Sequence, residues 1–361
     1  MTMRVCHLLL VLFAISVGSQ AQDSSSIAPV LLDSLQREPS PSSAYSSIFQ
    51  SLSSDSIPQI TLESDFKNLV KNKYKDDYQM AMIRYQVAGN SQVDIIKIRP
   101  RGKSRRKICA FPPLKLKFDK TEMHNRGLHP EYNTLKLVTH CAFSSDNESI
   151  VLKEYLIYQL YSMVSEHAFR VQLVKVRYVD TGRKRKTTER FGFLIENNQE
   201  MAARINGSIY EKENVGTRGL DRSAFNKLAT FQYMIGNSDW QIKHHHNMKL
   251  VKPKEGRQFI AVPYDFDYCG LVDAYYAVPN PNFMIKNIKE RVFMGICWPM
   301  DIHLRTVEDF KAQKEDIYKT INEFELLSRK DRKSMLHYID GFYEVIENPR
   351  LLKSEFNWRC N

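Results

Sequence analysis

As far as Glu196 the apolar residues of this chain fall mostly on alternate positions, and beyond it they recur every third or fourth residue. Alternation marks strands with one wet face; the longer period marks helices packed by one side. SQVDIIKIRP alternates around Val93, Ile95 and Ile96, LKLKF from Leu114 to Phe118, and TLKLV from Thr134 to Val138. VQLVKVRYVD and RFGFLIE flank TGRKRKTTE, a hairpin with a basic tip. One long helix interrupts these strands: DNESIVLKEYLIYQLYSMV, capped by Asp146 or Asn147, with Val151, Tyr155, Tyr158 and Met163 along one face. Later, DRSAFNKLATFQYMIG starts at Asp221, and two more helices occupy Thr306 to Asn348, the last opened by Ser328 and stopped by Pro349. The expected class is α+β, with a strand-rich N-lobe over 61–198, a helical C-lobe over 199–361 and a cleft between them.

The chain opens with Arg4, an unbroken apolar run from Leu8 to Ile15, and Ser19-Gln20-Ala21, which are the parts of a secretory signal in order. A signal peptide over 1–21 is therefore expected, with export to a periplasmic or extracellular space. The run is too short for a hydrocarbon core of ~30 Å, so no transmembrane anchor is expected. A Ser-rich stretch with Pro39 and Pro41 reads as a flexible leader over 22–60. Export places the later cysteines in an oxidising setting. Cys109 with Cys141, and Cys297 with Cys360, are pairs lying within one half of the chain; two such bridges leave Cys269 free.

Fifty-two Lys+Arg against 41 Asp+Glu give a formal charge of +11. That excess favours phosphates, acidic glycans or anionic surfaces as partners without choosing among them, and no nucleic acid is expected. Walker A, G-x-G-x-x-G and G-x-S-x-G patterns are all absent, which removes P-loop, Rossmann and serine-hydrolase readings. His244-His245-His246 invites a zinc site, but three consecutive histidines cannot all face one ion, and no H-E-x-x-H or matching cysteine set accompanies them.

The most informative stretch is MIGNSDWQIKHHHNMKLV followed by FIAVPYDFDYCG. A helix ends at Gly236; a polar loop holds Asp239 and Asn247; two short strands follow, then Asp265 and Asp267. A hairpin of those strands brings Asn247 and the Asp265/Asp267 pair to one end, converging three carboxylates and an amide. Carboxylates packed this closely need a cation or donors, and an all-oxygen set suits a hard divalent ion. Phosphoryl transfer divides its labour in this way, with one Asp taking the acceptor's proton while an Asn and a second Asp hold metal. The other reading of the same residues is a polar hairpin with Asx turns at each end. Arg99, Arg101, Lys103, Arg105, Arg106 and Lys107 crowd one earlier loop, which is either an anion site or a solvated turn.

MIGNSDW, HNMKL and AVPYDFDYCG together resemble the catalytic segment of secreted atypical kinases of the spore-coat CotH type. KIRPRGKSRRKICAFPPLKLKF is similar to that family's strand, R-G-x-S loop and lysine-bearing strand, and LKEYLIYQLY to its helix with a lysine-pairing acid. The resemblance covers about Val93 to Gly270. It implies a bilobal protein-kinase-like fold with an antiparallel-sheet N-lobe and a mainly helical C-lobe. It also implies an ATP-dependent kinase using Mg2+ or Mn2+ on a protein or glycan hydroxyl. Asp239 is then the base, Asn247 and Asp265 hold metal, and Asp267 is a second ligand or a brace. Arg101, Gly102 and Ser104 cover the phosphates. Lys117, or else Lys115, reaches them and pairs with Glu154, while Glu196 enters the connection between lobes at the nucleotide. The family's Arg-His after the catalytic Asp is replaced here by Trp240 and a longer loop. That departure makes a non-catalytic protein, binding acidic polymers through its basic surface, the alternative.

Overall fold

The computed structural model describes residues 45–142 and 148–358. Seven strands roll into a closed barrel: β1 (Gln59–Ser64), β2 (Gln79–Val87), β3 (Asn90–Pro100), β4 (Leu114–Lys117), β5 (Thr134–Val138), β6 (Val171–Asp180) and β7 (Lys186–Ile195). Their order around the barrel is β1-β2-β3-β4-β5-β7-β6. The β2–β3 hairpin turns through Ala88 and Gly89, both at positive φ (48° and 80°), the conformation whose twist matches two right-twisted strands. Closure comes from β1, which lies antiparallel to β2 but parallel to β6, Gln59 facing Lys175 and Ser64 facing Asp180. Alternate residues then point inward, and Ile60, Ile83, Ile98, Leu116, Leu137, Val176 and Leu194 form one buried cluster.

Short helices fill the ends and flanks. α1 (Ile48–Ser51) opens with a reciprocal capping box between Ser47 and Gln50 and buries Ile48 and Phe49; α2 (Phe66–Lys71) buries Phe66 and Leu69. The folded chain thus takes in residues that composition assigns to a leader, because Ile48, Phe49 and Leu52 are buried among barrel residues. α3 (Arg105–Ile108) and α4 (Lys120–Asn125) sit in the β3–β4 and β4–β5 connections. The signal-peptide residues 1–21 and the capping candidates Asp146 and Asn147 lie outside the described residues.

α5 (Glu148–Val164) carries apolar side chains nearly all round and packs against β7 on one side and α7 and α9 on the other. α6 (Asn198–Arg204) leads into β8 (Gly207–Tyr210) of a three-stranded sheet ordered β10-β9-β8, with β9 (Met248–Pro253) and β10 (Ile260–Pro263). Between them runs α7 (Arg222–Ile235), whose Asp221 cap accepts the Ala224 N–H at 2.9 Å and which stops at left-handed Gly236. α8 (Met300–Ala312), α9 (Lys314–Asn322), α10 (Arg329–Glu347) and α11 (Pro349–Phe356) complete the chain. α10 opens at Ser328 and ends at Glu347, just before Pro349 as expected; Pro349 then occupies the first turn of a further helix, α11, where a missing N–H costs nothing.

This architecture corrects the expected bilobal kinase-like fold with an antiparallel N-lobe sheet. The sheet is closed and mixed, a second small sheet accompanies it, and the described residues form one compact unit. The physical reason is β1: by bonding β2 on one side and β6 on the other, it removes the free edges an open sheet would leave.

Candidate active site

Asp239 is held by the turn after α7. Its N–H donates to Asn237 Oδ1 at 2.9 Å, and Trp240 Nε1 donates to the Asn237 carbonyl at 3.1 Å. Asn247 donates its amide to the Asp239 carbonyl (2.8 Å) and to Asp239 Oδ2 (3.0 Å), while His246 Nε2 lies 2.8 Å from Asp239 Oδ1. That last bond raises the His246 pKa against the opposing effect of burial. Asn247 sits at φ 53°, just before β9, and its carbonyl accepts the Tyr264 N–H at 3.0 Å. The β9–β10 hairpin therefore sets Asn247 beside the residue preceding Asp265. Asp265 also has positive φ (66°), and its N–H donates to the Tyr158 hydroxyl of α5 at 2.9 Å.

Behind Asp265 lies a buried cluster. Oxygens of Glu154, Asp265 and Asp267 lie within 4.8 Å of one another, and Glu154 and Asp267 are buried. Arg105, itself buried, places Nη1 3.2 Å from Glu154 and Nε 3.9 Å from Asp267; Tyr276 donates its hydroxyl to Asp267 at 2.9 Å. Burial, then the Asp265 charge, pushes the Asp267 carboxyl up to about 6, with Arg105 and Tyr276 opposing. Burial and Asp267 raise Glu154 in the same way. Burial works against the Arg105 charge, yet Tyr276, Asp267 and Glu154 more than offset it and hold its pKa up.

Three carboxylates and one guanidinium leave an excess of two negative charges when all are ionised. Glu154 Oε1 is buried without a hydrogen-bond partner among the described residues. An all-oxygen donor set, an orphaned carboxylate oxygen and that charge excess fit a hard divalent cation. No histidine belongs to this group, and His244 bonds Glu213 instead, at 3.3 Å.

The basic loop divides its cations by partner. Arg99 and Arg106 both bind Asp76, at 2.9 and 2.7 Å, and Arg105 turns inward. Gly102 takes φ 83°, and burial raises the Tyr268 pKa, with Ser104 opposing it. Arg101 is half-buried, and its field reaches Glu154, Tyr158 and Tyr264. A disulfide from Cys109 to Cys141 ties the end of α3 to the segment after β5. Cys297 is also disulfide-bonded, with its expected partner Cys360 outside the described residues, and Cys269 is free and buried.

The lysine assignments need correcting. Glu154 pairs with Arg105, not with Lys117 or Lys115. Lys117 is exposed and stands over the Tyr78 ring at 5.6 Å, while Lys115 is half-buried in β4. The lysine the structure turns toward the site is Lys136 of β5. It bonds Asn198 Oδ1 at 2.7 Å and lies 4.7 Å from the centres of both the Phe169 and Tyr264 rings. Burial lowers its pKa well below the ordinary value, Arg101 and Lys249 add to that, and Asp265 opposes it. TLKLV has the same alternation as LKLKF, so pattern alone cannot rank three lysines; the usable signal is that β5 is the strand preceding α5, which carries Glu154. Glu196 is no part of this cluster. Its carboxylate is spent on the Arg170 N–H (2.6 Å) and on the Arg170 and Arg204 guanidinium groups (2.9 and 2.5 Å).

No protein-family model matches the chain, and no curated protein matches it. Among solved structures, the crystal structure of a Helicobacter pylori proinflammatory kinase, CtkA, aligns over 75% of this chain and 94% of its own, with 7% identity and a TM-score of 0.36. Similarity of that degree assigns neither family nor activity.

Proposed function

We propose that the chain is an exported, metal-dependent phosphotransferase that moves the terminal phosphoryl group of a nucleoside triphosphate to a protein or glycan hydroxyl. The observation carrying this reading is the juxtaposition of two carboxylate environments: Asp239, hydrogen-bonded at the cleft, and the Asp265–Asp267–Glu154 cluster behind it. A binding module has no need of both. Bound Mg2+ or Mn2+ would supply charge neutralisation at the phosphates, held by Asp265 with Asn247, and by Asp267 or Glu154.

The remaining work belongs to the chain's own residues. Lys136 and Arg101 supply positive charge for phosphate oxygens, and Gly102 lets the loop backbone approach them. Asn247 fixes the Asp239 carboxylate, whose oxygens keep lone pairs for an acceptor hydroxyl. Asp239 takes the hydroxyl proton as that oxygen bonds to the terminal phosphorus and the bond to the departing diphosphate breaks. Export is supported by the signal-like opening and by the Cys109–Cys141 disulfide. Calorimetry of the mature chain with ATP, with and without Mn2+, tests the reading. Metal-dependent binding is expected; no binding with either Mg2+ or Mn2+ favours the non-catalytic binding protein.

A further inference from the structure

Beside Asp239 opens a cleft of about 680 Å3, in the size range of small-ligand sites. Its lining is unlike the chain as a whole. The sequence holds 52 lysines and arginines, yet none lines this cleft; its charged candidates are Asp239 and His246, which bond each other. An anionic acceptor would meet a carboxylate there, with no lysine or arginine in the wall to balance it and the one histidine already bonded to that carboxylate. Tyr268 and Phe283, both half-buried, and the exposed Gln241 and Asn282 line it instead, with the buried Trp240 behind them.

The far wall is a strap over residues 278–283 that is fixed in advance. Asn280 donates its amide to the Ser238 carbonyl at 2.7 Å, and the Asn282 and Phe283 N–H groups donate back to Asn280 at 3.0 and 3.1 Å. Pro279 and Pro281 have no N–H and restrict the backbone further. With two of the strap's N–H groups engaged and two missing at prolines, few are left for an extended peptide to pair with as an added strand. Rings with apolar faces and amides able to donate and accept suit a ligand that is apolar on one side and hydroxylated at its edge.

We propose that this cleft is the acceptor site and that the acceptor is a neutral saccharide. One of its hydroxyls gives its proton to Asp239 as the oxygen bonds to the terminal phosphorus, and the bond to the bridging oxygen breaks, yielding a sugar phosphate and a nucleoside diphosphate. This deepens the phosphotransferase reading and rests on it.

The test uses the full mature chain with Mn2+ and ATP, and chitotriose, xylotriose and maltotriose as probes. Binding is followed by calorimetry, and transfer by labelled phosphate on the saccharide. At least one probe is expected to bind and become phosphorylated, and Phe283→Ala and Asn282→Ala are each expected to weaken that binding about tenfold. Nucleotide binding without binding of any of the three saccharides overturns the saccharide proposal and leaves the phosphotransferase reading standing. Label on a serine or threonine peptide but on no saccharide overturns it in favour of a protein acceptor. Saccharide binding that neither variant weakens shows that the site lies elsewhere. Saccharide binding without nucleotide binding keeps the cleft assignment and ends the phosphotransferase reading.

Discussion

Arg105 and Glu154 form a buried ion pair, Nη1 to carboxylate 3.2 Å, in the position where a strand lysine is expected to meet that acid. The guanidinium comes from a loop helix and is the internal counter-charge for two carboxylates at once. Removing one member of such a group leaves the others charged in a dry interior, which costs about 3–5 kcal/mol. Arg105→Met should lower unfolding free energy by that order in urea titrations. Added Mn2+ should restore more stability to the variant than it adds to the wild type, because the freed carboxylates gain the ion as partner. Equal Mn2+ effects on both proteins would place the metal away from Glu154 and Asp267.

The Cys109–Cys141 disulfide closes a loop with a sequence separation of 32, and α3 with Arg105 lies immediately before it, its C-cap being Cys109 itself. Loop-closure entropy for that length is about 3–4 kcal/mol. Cys109→Ala with Cys141→Ala should therefore lower the melting temperature clearly and reduce metal-dependent nucleotide binding, since Arg105 loses its tether. Unchanged melting would show that the bridge adds little to the folded state.

His303 is buried among Phe293 and Phe356 with both ring nitrogens unpartnered among the described residues, and burial depresses its pKa from 6.5 to about 4. The folded state then binds the proton less tightly than the unfolded chain. Its neutral ring contributes fully above pH 6.5, and that contribution is lost as pH falls toward 4. His303→Phe keeps a ring and removes the titration. Urea denaturation should show the variant gaining on the wild type at each step below pH 6.5, and a constant difference between pH 7 and pH 4.5 would contradict the assignment.

What the sequence discloses, and what it conceals, follows from the range of each interaction. Alternation in TLKLV and LKLKF identifies strands because a face is a local property, and the Asn247-to-Asp265 hairpin is legible because its strands are neighbours. Barrel closure is not legible: four of the six residues of QITLES are polar, and its parallel partner β6 lies far along the chain. Six cations in one loop look equivalent in sequence. Only packing shows that Arg105 turns inward while Arg99 and Arg106 share Asp76 at the surface.

Lys136 and Lys117 offer a direct contrast. Lys136 sits near Asp265 with a pKa pushed down by burial, whereas Lys117 is exposed over Tyr78. Losing a charge-assisted contact to phosphate costs about 1.5–3 kcal/mol, so Lys136→Met should weaken Mn2+-dependent ATP binding by roughly tenfold or more. Lys117→Met should leave binding close to wild type. The reverse pattern would return the phosphate contact to β4.

Metal holding and proton acceptance are separate tasks, and their losses should look different. Asp265→Asn replaces a charged oxygen donor beside Glu154 and Asp267 with a neutral amide, a poorer partner for a hard dication. It should weaken metal-dependent nucleotide binding, and with one negative charge gone the Asp267 carboxyl should relax downward from about 6, because Asp265 is the charge that helps hold it up. Asp239→Asn leaves that cluster intact while removing the group hydrogen-bonded to Asn247 and His246. Nucleotide binding should survive, and transfer should fall by ~10²–10⁴-fold, the usual contribution of a general base. Calorimetry with ATP and Mn2+ reads the first effect, and labelled-phosphate transfer reads the second. Full transfer by both variants would mean that neither carboxylate carries the chemistry. Loss of nucleotide binding in Asp239→Asn alone would move the metal from the Asp265 cluster to the cleft.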